Sequence, residues 1–140
     1  MANYLLVWMV TFYTWQQPIV GHELTVEVKN ITSAKGKIMF ALFTRPNGFP
    51  QQVQNAFAVK SVPASKGKVL VSFTGIPSGT CAIAVYHDAN NDGKLNTNAL
   101  GIPKESYGFS NNARSMFSAP SFEEAGVVVN KAHIISIGLK

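Results

Sequence analysis

Two of the chain's seven acidic residues stand in one twelve-residue segment, HDANNDGKLNTN from His87 to Asn98, among four asparagines and a glycine. Asp88, Asn90 and Asp92 occupy alternate positions and Gly93 follows directly, the order D-x-[DN]-x-[DN]-G of a calcium loop. In such a loop the alternate side chains turn their oxygens to one face and the glycine supplies the sharp turn. Lys94 would add its carbonyl, and Asn96 sits where a direct or water-mediated ligand falls. Position twelve, where an EF-hand carries a bidentate Glu, is Ala99, and Asn98 or Glu105 could fill it if the loop folds back. With one carboxylate fewer, the expected Ca²⁺ affinity is weak, on the order of 10⁻⁴–10⁻³ M. The competing reading is an Asx-rich turn closed by its own hydrogen bonds, with no metal. Zinc is not indicated, because no second His or Cys stands at ligand spacing from His87.

Catalytic chemistry finds less. His87, Asp88 and Ser110 supply the letters of a triad, but neighbours in an extended segment face opposite ways and cannot act as base and orienter. There is no G-x-S-x-G elbow and no H-E-x-x-H. Glu123 and Glu124 adjoin in SFEEAG and read as a solvated helical face. The expectation is a protein that is not an enzyme. The alternative is a periplasmic or surface enzyme acting in the loop 87–121, with His87, Asp88 and Glu105 as its candidates.

These residues need a frame. ELTVEVKNI alternates Leu24, Val26 and Val28 against polar neighbours, the period of a half-buried strand. KIMFALF and TCAIAVY are apolar on both faces, as central strands are, and AFAVKSV, KVLVSF, GVVV and AHIISIGL complete a set of seven. Seven short strands with turn signals between them predict an all-β, immunoglobulin-like sandwich. Its expected core is Leu24, Val26, Val28, Phe40, Leu42, Val69, Val71, Phe73, Ile83, Val85, Ile135 and Ile137. Single helical turns are expected near FPQQVQNAF and SFEEAG. From His87 to Ser121 run 35 residues with no strand or helix pattern, yet with Tyr107, Phe109 and Phe117 among them. A loop that long is usually functional or disordered, and its aromatics argue for order. A binding site there would draw on Tyr86, His87, Glu105, Tyr107 and Phe109.

Bulk properties narrow the classes further. The chain's 140 residues make one domain, and its net charge of +5 is scattered singly rather than in a basic run. Nucleic acid is therefore not an expected partner. The lone Cys81 excludes an internal disulfide and lies in an apolar run, as a small core residue would. Residues 1–21 contain no charged side chain, and the apolar run Leu5 to Tyr13 is too short for a span of roughly 20 residues. Its length suits the h-region of an export signal, with Gly21 as the small residue before cleavage. The mature domain would then be 22–140, periplasmic or secreted, with no transmembrane segment and a periplasmic or cell-surface partner that the sequence does not name.

The stretch AIAVYHDANNDGKLNTNALGIPKESYGFSNNARSMFSAPSFEEA resembles a family of uncharacterised bacterial secreted proteins, a domain of unknown function. Its pattern runs approximately G-x-Y-A-x-A-x-x-H-D-x-N-x-N-G-K-x-D-T-N-x-x-G-x-P-x-E-G-Y-G-F-S-N-N. The resemblance implies export and a compact β fold but no activity. The chain has Cys81 in place of the family's usual Tyr, Ser106 in place of Gly and Asn96 in place of Asp. The last change removes a negative charge from the candidate metal loop. More distantly, FTGIPSGTCAIAVYHDANNDG is similar to transthyretin-like and collagen-adhesin B-type sandwiches, which implies a binding, spacer or surface module.

Overall fold

The computed structural model describes residues 21–140; the expected export signal, apart from Gly21, lies outside them. Among the described residues eight strands form two sheets: β1 (His22–Ile31), β2 (Lys37–Phe43), β3 (Ala58–Pro63), β4 (Gly67–Ile76), β5 (Gly79–Asp88), β6 (Tyr107–Phe109), β7 (Val127–Val129) and β8 (His133–Gly138). One sheet has the order β4-β1-β8, and the other β3-β2-β5-β6 with β7 paired to β5. The all-β sandwich expected from the periodicity is the fold, with one strand more than the seven anticipated. The additional strand is β6, inside the 87–121 stretch that was expected to hold no strand. It has three residues, too few to show a period, and forms because β5 offers it an edge: Tyr107 lies opposite Tyr86 and Phe109 opposite Ala84.

Both strands with two apolar faces are central, as they must be. Leu24, Val26, Val28, Phe40, Leu42, Phe73, Ile83, Val85 and Ile137 fill the space between the sheets with no more than 2% of their surface exposed. Val69 and Ile135 lie on β4 and β8, the edges of the three-stranded sheet, and are only partly buried. The opposite face of β2 and β5 holds a second cluster of Ala41, Phe43, Ala82, Phe109, Phe122 and Ala125. Phe49 packs edge-on against Phe43, Phe109 and Phe122, with ring centroids 5.3, 6.1 and 6.1 Å away. The segment 107–125 thus covers this sheet's outer face, and burial of that face is what orders it. The two expected helical turns are present, as a 3₁₀ turn at Val53–Asn55 and as α1 (Phe122–Ala125). Ser121 and Glu124 cap α1 reciprocally, the Ser121 hydroxyl accepting from Glu124 N–H and the Glu124 carboxylate accepting from Ser121 N–H.

The sandwich closes differently on its two sides. Beyond β8, Leu139 N–H donates to Lys29 O at 3.0 Å, while Lys140 and Tyr107 exchange two main-chain bonds of 3.0 Å. The chain thereby steps from one sheet to the other. Gly108 permits this approach: a Cβ there would stand 2.8 Å from Ile137 Cγ2 and 2.9 Å from Gly138 O. On the other side β3 and β4 are the edge strands among the described residues, and the Lys60 ammonium donates to Ser72 O while lying 5.2 Å from the Phe73 ring centre. A lysine on an edge blocks pairing with another chain.

Candidate functional site

β5 delivers the candidate residues to the end of the sandwich, and its alternation divides them. Ile83, Val85 and His87 face the other sheet, whereas Ala84, Tyr86 and Asp88 face outward. His87 is 4% exposed, its Nε2 lies 2.6 Å from Lys35 O, and its N–H donates to Ser106 O at 2.9 Å. A carbonyl only accepts, so Nε2 carries the proton. His87 is therefore a strut between the β1–β2 turn and β5, and it does not join the aromatic residues of the outer face. Gly36 allows that turn to press onto β5, since a Cβ there would lie 2.0 Å from Asp88 O.

Asp88 is fully buried. Its two carboxylate oxygens accept the N–H groups of Asp92 at 3.2 Å and Gly93 at 2.8 Å. Asp92 Oδ1 accepts Lys94 N–H at 2.9 Å, and its Oδ2 accepts from the amides of Asn96 at 2.8 Å and Asn90 at 3.3 Å. Those bonds, the Lys94 one first, hold the Asp92 carboxyl below its ordinary value. Asn90 Nδ2 also reaches Asn96 Oδ1 at 3.4 Å. Asp88, Asn90, Asp92 and Asn96 therefore form one connected group, while Lys94 contributes its N–H to that group.

The loop then folds back as a short hairpin. Lys104 N–H donates to Asn96 O at 2.7 Å and Asn98 N–H to Ile102 O at 2.8 Å. This return brings Glu105 to the cluster, where its Oε2 accepts Asn96 N–H at 3.1 Å. Asn98 is not brought in; its side-chain oxygen accepts the N–H groups of Leu100 and Ile102 and closes the hairpin tip. Among the described residues, no three His, Cys, Asp or Glu side chains gather as a metal-holding group. Any cation here would depend on asparagine oxygens beside the carboxylates.

Tyr86 registers the charge of this loop. Burial pushes its phenol up first, and Asp88, Glu105 and Asp92 each add to the rise. Among the described residues the Lys and Arg ion pairs are Lys29–Glu27 and Lys68–Glu27, so none answers these three carboxylates. Tyr107 stands opposite Tyr86, and its ring centre is 5.8 Å from that of Phe109. Tyr86, Glu105, Tyr107 and Phe109 thus share one face with the acidic loop. Cys81 is 1% exposed, and burial raises its thiol to about 11, as expected of a core residue.

Sequence reasoning named Ser110 only as a letter of a triad and missed both its role as a fastener and the surface beside β8. Ser110 is fully buried; its hydroxyl accepts Ile83 N–H at 2.9 Å and donates to Ala125 O. Asn112 Oδ1 accepts Gly138 N–H at 2.9 Å and ties the end of the covering segment to β8. The run FSNN carries both residues, but a polar run without periodicity does not show which sheet edge it will meet.

An all-β sandwich with an asparagine- and aspartate-rich end loop is the class that fold and site define. Residues 26–136 match the model of a family described as an uncharacterized protein conserved in bacteria, DUF2141, and the chain belongs to that family. No curated protein and no solved structure matches it.

Proposed function

We propose that this protein is an exported, non-catalytic binding module whose 88–105 loop takes Ca²⁺ weakly. The observation that carries the reading is the hydrogen-bonded network in which Asp92 joins Asp88, Asn90 and Asn96 while Glu105 accepts Asn96 N–H, with none of the three carboxylates ion-paired to a Lys or Arg among the described residues. Like charges so placed repel, and a divalent cation offsets them where backbone donors do so only in part. The reliance on Asn90 and Asn96 oxygens sets the affinity at the weak end, on the order of 10⁻⁴–10⁻³ M. Export is supported by the uncharged apolar stretch within residues 1–21. A binding role rather than catalysis is supported by His87, which is buried and engaged with Lys35 O, on the opposite face of β5 from Tyr86.

The test is a calcium titration of the melting temperature. Free Ca²⁺ at 100 times the dissociation constant stabilises by about 2.7 kcal/mol, and EDTA should reverse the gain. Asp88→Ala should abolish the shift and Asp92→Asn should weaken it. Wild type and Asp88→Ala equally unmoved by about 100 mM Ca²⁺, roughly 100 times the weaker end of that range, would leave a metal-free Asx turn.

A further inference from the structure

A second site is built where β8 steps across to β6. Lys29, Asn30, Asn112, Arg114 and Lys140 line an open cleft of about 510 Å³, and no carboxylate side chain lines it. Lys29 is held by Glu27 at 3.2 Å, but Arg114 and Lys140 have no acidic partner among the described residues. The Arg114 guanidinium has five N–H donors, and among the described residues its one hydrogen bond is a long 3.5 Å approach to Gly138 O. The rest of that fork faces the cleft or water. Directly after Arg114 the same segment forms a tip, Ser115–Ser118, whose hydroxyls approach to 3.3 Å. At its apex Met116 is 89% exposed and Phe117 94%, the highest values among the large apolar residues described.

An aromatic and a methionine held in water beside unpaired cations match a surface that is apolar within and anionic at its boundary. We infer that this face docks on anionic lipid bilayers, with Arg114 and Lys140 at the headgroups and Met116 and Phe117 in the acyl boundary. The charges decide between the apolar tips. Leu100, 83% exposed, also projects, but its loop carries Asp88, Asp92 and Glu105 against Lys94 and Lys104, which suits an anionic surface poorly. The segment from Asn112 to Pro120 carries Arg114 and no acid. The nearest acids in sequence are Glu123 and Glu124 of α1, and Glu124 is engaged in the cap of Ser121. Neither class of contact anchors a protein alone; a few cations and two apolar side chains together give reversible binding.

The inference is independent of the calcium reading and is tested in EDTA. The purified chain should co-sediment with vesicles of phosphatidylcholine and phosphatidylglycerol, but not with phosphatidylcholine alone, and molar salt should release it. Arg114→Glu should lower partitioning by roughly tenfold or more, since each basic residue near the surface and its replacement by an acid both count. Phe117→Ser should lower it by about tenfold or more and leave the melting temperature unchanged, because the side chain is 94% exposed. Leu100→Ser should leave partitioning unchanged. Three results would overturn the inference: no sedimentation with the anionic vesicles, equal loss with Leu100→Ser and Phe117→Ser, or a concentration-dependent dimer abolished by Phe117→Ser in place of vesicle binding.

Discussion

Ser110→Ala tests how the covering segment is held. At Phe109 the main-chain ladder between β6 and β5 ends, and the Ser110 hydroxyl takes the place opposite the next free donor of β5, Ile83 N–H. The same hydroxyl donates to Ala125 O at the end of α1, so one side chain joins a central strand, the end of β6 and the helix. Alanine fits the space but leaves one donor and one acceptor without partners in a fully buried position. Each such group costs about 1–3 kcal/mol when stranded, which puts the loss for the two at roughly 2–6 kcal/mol. For a domain of this size about 1 kcal/mol shifts the melting temperature by roughly 3–5 °C, so a fall of about 6–30 °C is expected. Urea unfolding gives the free energy directly, and hydrogen exchange at Ile83 should accelerate beyond that of Val85. A loss below about half a kcal/mol, with Ile83 exchange unchanged, would refute the idea that this hydroxyl fastens the segment.

Ile83→Ala, in the middle of the inner core at 0% exposure, should destabilise by about 2–4 kcal/mol in the same assay. Cys81, with its thiol raised to about 11 by burial, should resist a disulfide reagent at pH 8 and react once the protein is unfolded in urea. Asp92 is held below its ordinary value near 3.8 in the folded state. Its contribution to stability is therefore present above that value and lost as the pH falls through the lower, folded one, and Asp92→Asn should flatten this acid limb of stability against pH.

The fold was legible wherever burial imposed a period. KIMFALF and TCAIAVY, apolar on both faces, declared themselves central, and they are β2 and β5 with a cluster on each side. Val69 and Ile135 have the right period but are only partly buried, whereas Phe73 and Ile137 on the same edge strands are buried. Tyr-Gly-Phe at 107–109 was not legible as a strand, since what makes it one is the free edge of β5 and the passing main chain of Lys140. His87 was grouped with Tyr86 by proximity in sequence, whereas strand alternation puts them on opposite faces. The basic cleft left no local trace at all: Lys29, Asn112, Arg114 and Lys140 come from β1, the covering segment and the end of the chain. Only the closing step from β8 to β6 assembles them.

The Asx turn and the calcium site in HDANNDGKLNTN are not exclusive arrangements. A carboxylate offers about four lone-pair sites, and the two N–H groups on Asp88 occupy two of them. Those donors hold the loop in shape before any ion arrives, which lowers the ordering cost of binding. What obstructs a cation is instead the pair of amides: Asn90 and Asn96 both turn Nδ2, not oxygen, toward Asp92 Oδ2. Rotation of each amide by half a turn would exchange a donor for an acceptor; Asp92 N–H would lose its 3.3 Å bond to Asn90 Oδ1 but keep the one to Asp88. Calcium should therefore shift the side-chain NH₂ resonances of Asn90 and Asn96 strongly, while Gly93 N–H stays protected on Asp88. With the negative field offset, the phenol of Tyr86 should also titrate at lower pH than in EDTA, as removal of three raising carboxylates requires. Calcium-induced collapse of Gly93 protection would mean instead that ion and backbone compete for the same oxygens, and the preformed cage would be refuted.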